Sequence, residues 1–162
     1  MAIFEQAIQY VLDNEGGDSN DAADHGGRTR FGITEKEAKA HGIDIEKLTL
    51  DQAKAIYKSD YWKFDGIASQ RIATKLLDMA VNLGPGTAAK LAQRVAGTVV
   101  DGVIGLATIR AINYCTPGEA GEFISLLKLA CACADRYATI VADDHTQVTF
   151  LRGWMERALR LP

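Results

Sequence analysis

A mostly α-helical fold with one small β-hairpin or loop flap is predicted by three features of this sequence. Apolar residues recur at helical spacing in several separate stretches, and two capping boxes mark helix starts. Glycine pairs and a Gly-Pro-Gly then cut the helices apart. No period repeats and no segment is of low complexity, which removes solenoid and fibrous architectures.

In chain order, Phe4, Ala7, Ile8, Val11 and Leu12 form the stripe of a first helix with one buried face. Gly16 and Gly17 stop it, because glycine enters a left-handed cap most cheaply, and Glu15 is left at the helix end. Between Asp24 and Ile33 the glycines and the Thr-Arg-Phe alternation predict a small hairpin. Thr34-Glu35-Lys36-Glu37 and Thr49-Leu50-Asp51-Gln52 are capping boxes, the second opening a helix over 50–61. Ser69 opens a helix with Ile72, Leu76, Leu77, Ala80 and Val81 on one face, ended by Asn82-Leu83-Gly84-Pro85-Gly86. Thr87 is expected to cap a helix over 88–95. Asp101-Gly102 reads as a turn first, ahead of a short helix from 106. Pro117 starts the longest helix, 118–141, with Phe123, Leu126, Leu127, Ala130, Ala134 and Tyr137 along one side. A last amphipathic helix covers 148–159.

At 162 residues one domain is the default, and 48% hydrophobic residues suffice for a core. The net charge of −3 argues against a basic nucleic-acid-binding surface but excludes nothing about sugars. No apolar run reaches the ~18 residues of a membrane span. The opening Met-Ala-Ile-Phe-Glu lacks the basic and apolar regions of a signal peptide. Cys115, Cys131 and Cys133 are an odd set without histidines at ligand spacing, so reduced thiols are expected, with no metal and no cofactor.

The chemistry gathers in residues 15–34. Residues 1–27 hold six acids (Glu5, Asp13, Glu15, Asp18, Asp21 and Asp24) and no Lys or Arg. A carboxyl among like charges at the negative end of a helix is expected to hold its proton to higher pH, as a general acid must. A solvated acidic loop is the plainer alternative; a calcium site lacks its D-x-[DN]-x-[DN]-G spacing.

The chain resembles the lysozyme-like glycoside hydrolase family 108, whose members include phage endolysins. The resemblance rests on Glu15-Gly16-Gly17, on Asp24-His25-Gly26-Gly27-Arg28-Thr29-Arg30-Phe31-Gly32-Ile33-Thr34, on Tyr57…Tyr61-Trp62, and on the segment from Asp78 to Gly86. Val100-Asp101-Gly102-Val103-Ile104-Gly105…Thr108 is similar to a peptidoglycan-binding motif that accompanies the family, and Gly153-Trp154…Arg157 is typical of it. Asp18 stands where the family usually has Tyr after E-G-G, which puts a stacking role there in doubt and adds a charge.

The resemblance implies a lysozyme-like catalytic region over 1–93 and a helical peptidoglycan-binding-like region over 94–162, packed as one unit. It implies cleavage of the β-1,4 bond between N-acetylmuramic acid and N-acetylglucosamine, with Glu15 as the acid. A poor glycosidic leaving group needs that proton, and a second group must stabilise the oxocarbenium-like state or activate water. Asp24 is taken for the second group ahead of Asp21, and Thr29 is similar to a water-positioning Thr of phage-type lysozymes. The expected setting is a monomer made in a host cytoplasm and released by a holin onto peptidoglycan, with no nucleic-acid or membrane partner.

Further candidates for substrate contact are Asp21, His25, Arg28, Tyr61, Trp62 and Asn82. Tyr61 and Trp62 suit sugar stacking and core anchoring equally. Asn82 either meets an N-acetyl group or caps its own helix. His25 either couples to Asp24 or sits in a solvated turn. Trp154 is expected in the core, and Arg152, Arg157 and Arg160 on a solvated helix face. Rival readings are a silent peptidoglycan-binding module, a lytic transglycosylase, and a peptidase or amidase, the last lacking a zinc set or a Cys/His nucleophile.

Overall fold

The computed structural model describes residues 1–15 and 28–162, residue 15 in its backbone alone. Among them α1 (Phe4–Glu15) is followed by a hairpin of β1 (Thr29–Arg30) and β2 (Ile33–Thr34). Then come α2 (Glu35–Ala40), a 3-10 turn at Ile45–Lys47, α3 (Leu50–Asp60), α4 (Gln70–Leu83) and α5 (Pro85–Ala96). The chain continues with α6 (Leu106–Cys115), α7 (Gly118–Asp143), a 3-10 turn at His145–Gln147 and α8 (Val148–Leu159). No helix among the described residues is long and apolar enough to cross a membrane.

The structure is organised around α4. Ser69 caps it by accepting from the Ile72 amide at 3.1 Å. Every residue from Ile72 to Ala80 is buried, where the sequence pattern showed one apolar face. A helix buried all round needs partners on each side, and α1, α5 and α7 supply them. Against it, α1 buries Phe4, Ala7, Ile8 and Val11, while Leu12 is half-buried.

Both capping boxes form. Thr34 accepts from the Glu37 amide, and the Glu37 carboxylate accepts from the Thr34 amide at 2.8 Å; Thr49 and Gln52 repeat the exchange at 3.3 and 2.9 Å. The hairpin pairs Thr29 with Thr34 and Arg30 with Ile33. Its two central residues, Phe31 and Gly32, have φ of 53° and 75°, the signs of a type I′ turn. A phenylalanine is strained there, and its surroundings hold it. The Tyr57 hydroxyl donates to the Phe31 carbonyl at 3.1 Å, and the Arg30 guanidinium lies 5.3 Å over the Phe31 ring.

Two expectations are corrected. Helix α5 begins at Pro85, with Gly84 as its cap, and Thr87 lies inside it. A proline loses no hydrogen bond in a first turn, so the Gly-Pro that ends α4 also starts its successor. Consequently residue 93 sits within a helix that runs unbroken from 85 to 96. On α7, Leu126, Ala130 and Tyr137 are buried, but Phe123 and Leu127 are 48% and 42% exposed. The buried arc centres on Leu126, Leu129 and Cys133, and at about 100° per residue Phe123 and Leu127 fall just past its edge.

Candidate active site

Glu15 is the last residue of α1. Its side chain, and Asp18, Asp21, Asp24 and His25 entirely, lie outside the described residues. What can be built is the surface beside that helix end. A groove of about 290 Å³ opens there, lined by Asn14 of α1 and Asn82 of α4 on one side. Opposite them stand Gly153, Trp154, Glu156 and Arg157 of α8, and Arg160, which caps it.

The floor of this groove is fixed by buried charge. Asp78 accepts from Arg157 Nε at 3.0 Å and from Asn14 Nδ2 at 3.2 Å, and Arg157 Nη2 lies 2.9 Å from it as an ion pair. Lys75, fully buried three residues earlier on α4, lies 3.8 Å from Asp78 Oδ2. Its ammonium donates to the carbonyls of Arg157, Ala158 and Arg160 at 3.1, 2.9 and 3.0 Å. Three carbonyls at the negative end of α8 thereby converge on one cation. Burial depresses the Lys75 pKa, and Asp78 works in the opposite direction. From α1, the Tyr10 hydroxyl donates to the Arg160 carbonyl at 3.0 Å, and the Arg160 guanidinium donates back to Asn14 Oδ1. The residue next to Glu15 is thus held from two sides.

Above the floor, Tyr137 donates its hydroxyl to Asn82 Oδ1. Burial pushes the Tyr137 pKa up, which keeps that donor protonated. Among the described residues the Asn82 amide nitrogen has no hydrogen-bond partner, and the side chain does not cap its own helix. Trp154 stacks on Tyr137 at 5.2 Å and 21°, and on Phe150 at 5.7 Å and 28°.

The other expected contacts sit elsewhere. Trp62 is 4% exposed, meets Phe4 and Phe64 edge-on, and donates from Nε1 to Asp65 at 2.7 Å. It is a core anchor with no face for a sugar. Tyr61 is half-buried, tilted on Tyr57 at 5.7 Å, with its hydroxyl donated to Glu37. Thr29 lies on β1, partly buried, and Arg28 precedes it, largely exposed and paired with Glu46. The Asp101-Gly102 motif is a surface turn tied down from beneath, with Asp101 itself exposed. Buried Gln93 binds Asp101, the Val103 carbonyl, Thr108 and the Gly102 amide, so the motif locks a loop.

Sequence reasoning missed the α8 wall. It put Arg157 on a solvated face, whereas Arg157 grips Asp78; Trp154 packs against the core as expected and also lines the groove. The signal that could have found the wall was the Gly153-Trp154…Arg157 cluster itself. Among the described residues no three of His, Cys, Asp and Glu gather as a metal set.

The family model described as Glycosyl hydrolase 108 matches residues 8–84, and the one described as Predicted Peptidoglycan domain matches residues 87–159. The two meet at the Gly84–Gly86 junction between α4 and α5. No curated protein matches the chain. Among solved structures, "Structure of Brucella abortus SagA" is similar at 30% identity and a TM-score of 0.76, over 96% of this chain and 88% of that one. The hydrolase match ends with α4, the peptidoglycan match takes in α8, and the solved relative spans both. The chain accordingly belongs to glycosyl hydrolase family 108, as a lysozyme-like glycoside hydrolase of peptidoglycan.

Proposed function

We propose that this enzyme cleaves the β-1,4 bond between N-acetylmuramic acid and N-acetylglucosamine, with Glu15 protonating the bridging oxygen. The observation that carries the reading is the polar groove at the end of α1, one residue from Glu15 and flanked by Asn82. A general acid on the last turn of a helix has its backbone anchored beside a bound sugar chain. Asp24 is assigned the second carboxylate role, ahead of Asp21, and Thr29 the positioning of water. The Asn82 amide is assigned an N-acetyl or hydroxyl oxygen. The biological setting that fits is lysis of a bacterial host by a phage, with the enzyme reaching the wall after membrane release.

Two measurements test this. Glu15→Gln is expected to lose about 10²–10⁴-fold in turnover on purified sacculi at unchanged melting temperature, and Asp24→Asn to fall severely. Full activity in Glu15→Gln removes the assignment. Mass spectrometry of borohydride-reduced products should show reduced muramic acid ends. Reduced glucosamine ends would move the cut to the other linkage, and anhydro ends would make the enzyme a lytic transglycosylase.

A further inference from the structure

The groove beside α1 is mostly a property of α8, since five of its seven lining residues belong to that helix or cap it. Yet α8 lies in the segment matched by the peptidoglycan model and not in the hydrolase segment. Midway along α8 stands Gly153, exposed and lining the groove. Glycine inside a helix costs stability relative to alanine through lost backbone entropy. It is usually tolerated where a side chain would collide with a neighbour, but a Cβ built on Gly153 meets nothing within 4 Å. The protein's own packing therefore gives no reason for the glycine. What the missing side chain leaves open is the groove.

We propose that the peptidoglycan segment binds the glycan strand in this same groove, with the strand crossing α8 over Gly153 between Trp154 and Arg160. Wall binding and cleavage then share one site, and Gly153 is its clearance residue. Trp154, held by its stacks on Tyr137 and Phe150, lends the groove an aromatic wall. Arg160 spends its guanidinium on Asn14, so it positions the helix end as well as flanking the strand. The inference rests on reading the groove as the cleavage site. Its rival is a separate wall-binding site, for which the described residues offer a candidate. A groove of about 410 Å³ between α5 and α7 is lined by Leu91 and Ala132 with Arg94, Asp135, Arg136 and Thr139.

The test compares stability, binding and turnover in the full chain. Gly153→Ala should raise the melting temperature by about 2–4 °C while raising KM on sacculi about tenfold with kcat little changed. A merely structural glycine would give the first effect without the second. Gly153→Gln should abolish cleavage and, in a Glu15→Gln background, cut co-sedimentation with purified sacculi at least tenfold. Arg94→Glu with Arg136→Glu should leave both readouts unchanged. Retained binding and cleavage in Gly153→Gln overturns the proposal, as does loss of binding in the Arg94/Arg136 variant. Should Glu15→Gln still cleave, the acid assignment fails by itself, and the KM of the Gly153 variants still decides this inference.

Discussion

At the scale of single residues, Glu37 shows how one side chain sets the base of the flap. Its carboxylate accepts from the Thr34 amide at 2.8 Å, the Thr34 hydroxyl at 2.7 Å and the Tyr61 hydroxyl. Burial raises its pKa, but these hydrogen bonds outweigh burial and leave it below the ordinary 4.5. A carboxyl whose folded pKa is depressed stabilises the fold above its unfolded pKa, and that contribution disappears as pH falls through the folded value. Glu37→Gln should therefore cost about 1–2 kcal/mol at pH 7. Urea midpoints of variant and wild type should converge by about pH 3. A gap that persists at low pH would show that packing, not charge, holds this corner. The Thr34–Glu37 exchange was legible from four letters, because a capping box is a local bargain between neighbours. The Tyr61 contact was not, because it joins positions 24 apart that only the folded chain brings together.

Among elements, α4 and α8 depend on each other through a contact that no local pattern announces. Periodicity marks Ile72, Leu76, Leu77 and Ala80, but gives no reason to bury the lysine between them. Lys75 is buried because the carbonyl end of α8 arrives from more than 80 residues away to receive its ammonium. Removing one partner of a buried charge set strands the others. Lys75→Met should thus destabilise by about 3–5 kcal/mol in urea titration, with faster amide exchange along α8 than along α3. A loss under ~1 kcal/mol would mean that Asp78 and Arg157 suffice by themselves. Helix bounds that depend on caps and glycines were readable to within a few residues, as α3, α4 and α8 show. Which face of α7 is covered was not, since the answer lies in the arc presented to α4, α5 and α8. The same limit hid the groove. Asn14, Asn82 and Trp154 come from three helices, and their convergence is written in no single stretch.

Across the whole molecule, the two family segments share one core. Helix α4 packs on α5 and α7, Ser69 donates to Glu122 at 2.6 Å, and Asn113 bridges the Gly66 carbonyl and the Ala68 amide at 3.0 and 2.9 Å. With this many ties across residues 84–87, neither part has an independent interior. Thermal unfolding should follow a single transition, with aromatic fluorescence and helical circular dichroism giving coincident midpoints. Two resolved steps would show that the segments fold separately.

The open space over Gly153 also bears on how this enzyme would respond to engineering. A library ranked by heat resistance alone would promote alanine at this position, because the unfolded chain loses entropy and nothing in the fold objects. If the glycan strand crosses Gly153 as proposed, each such winner would carry a narrowed path for it. Selection for robustness and selection for peptidoglycan cleavage would then pull this one backbone position in opposite directions.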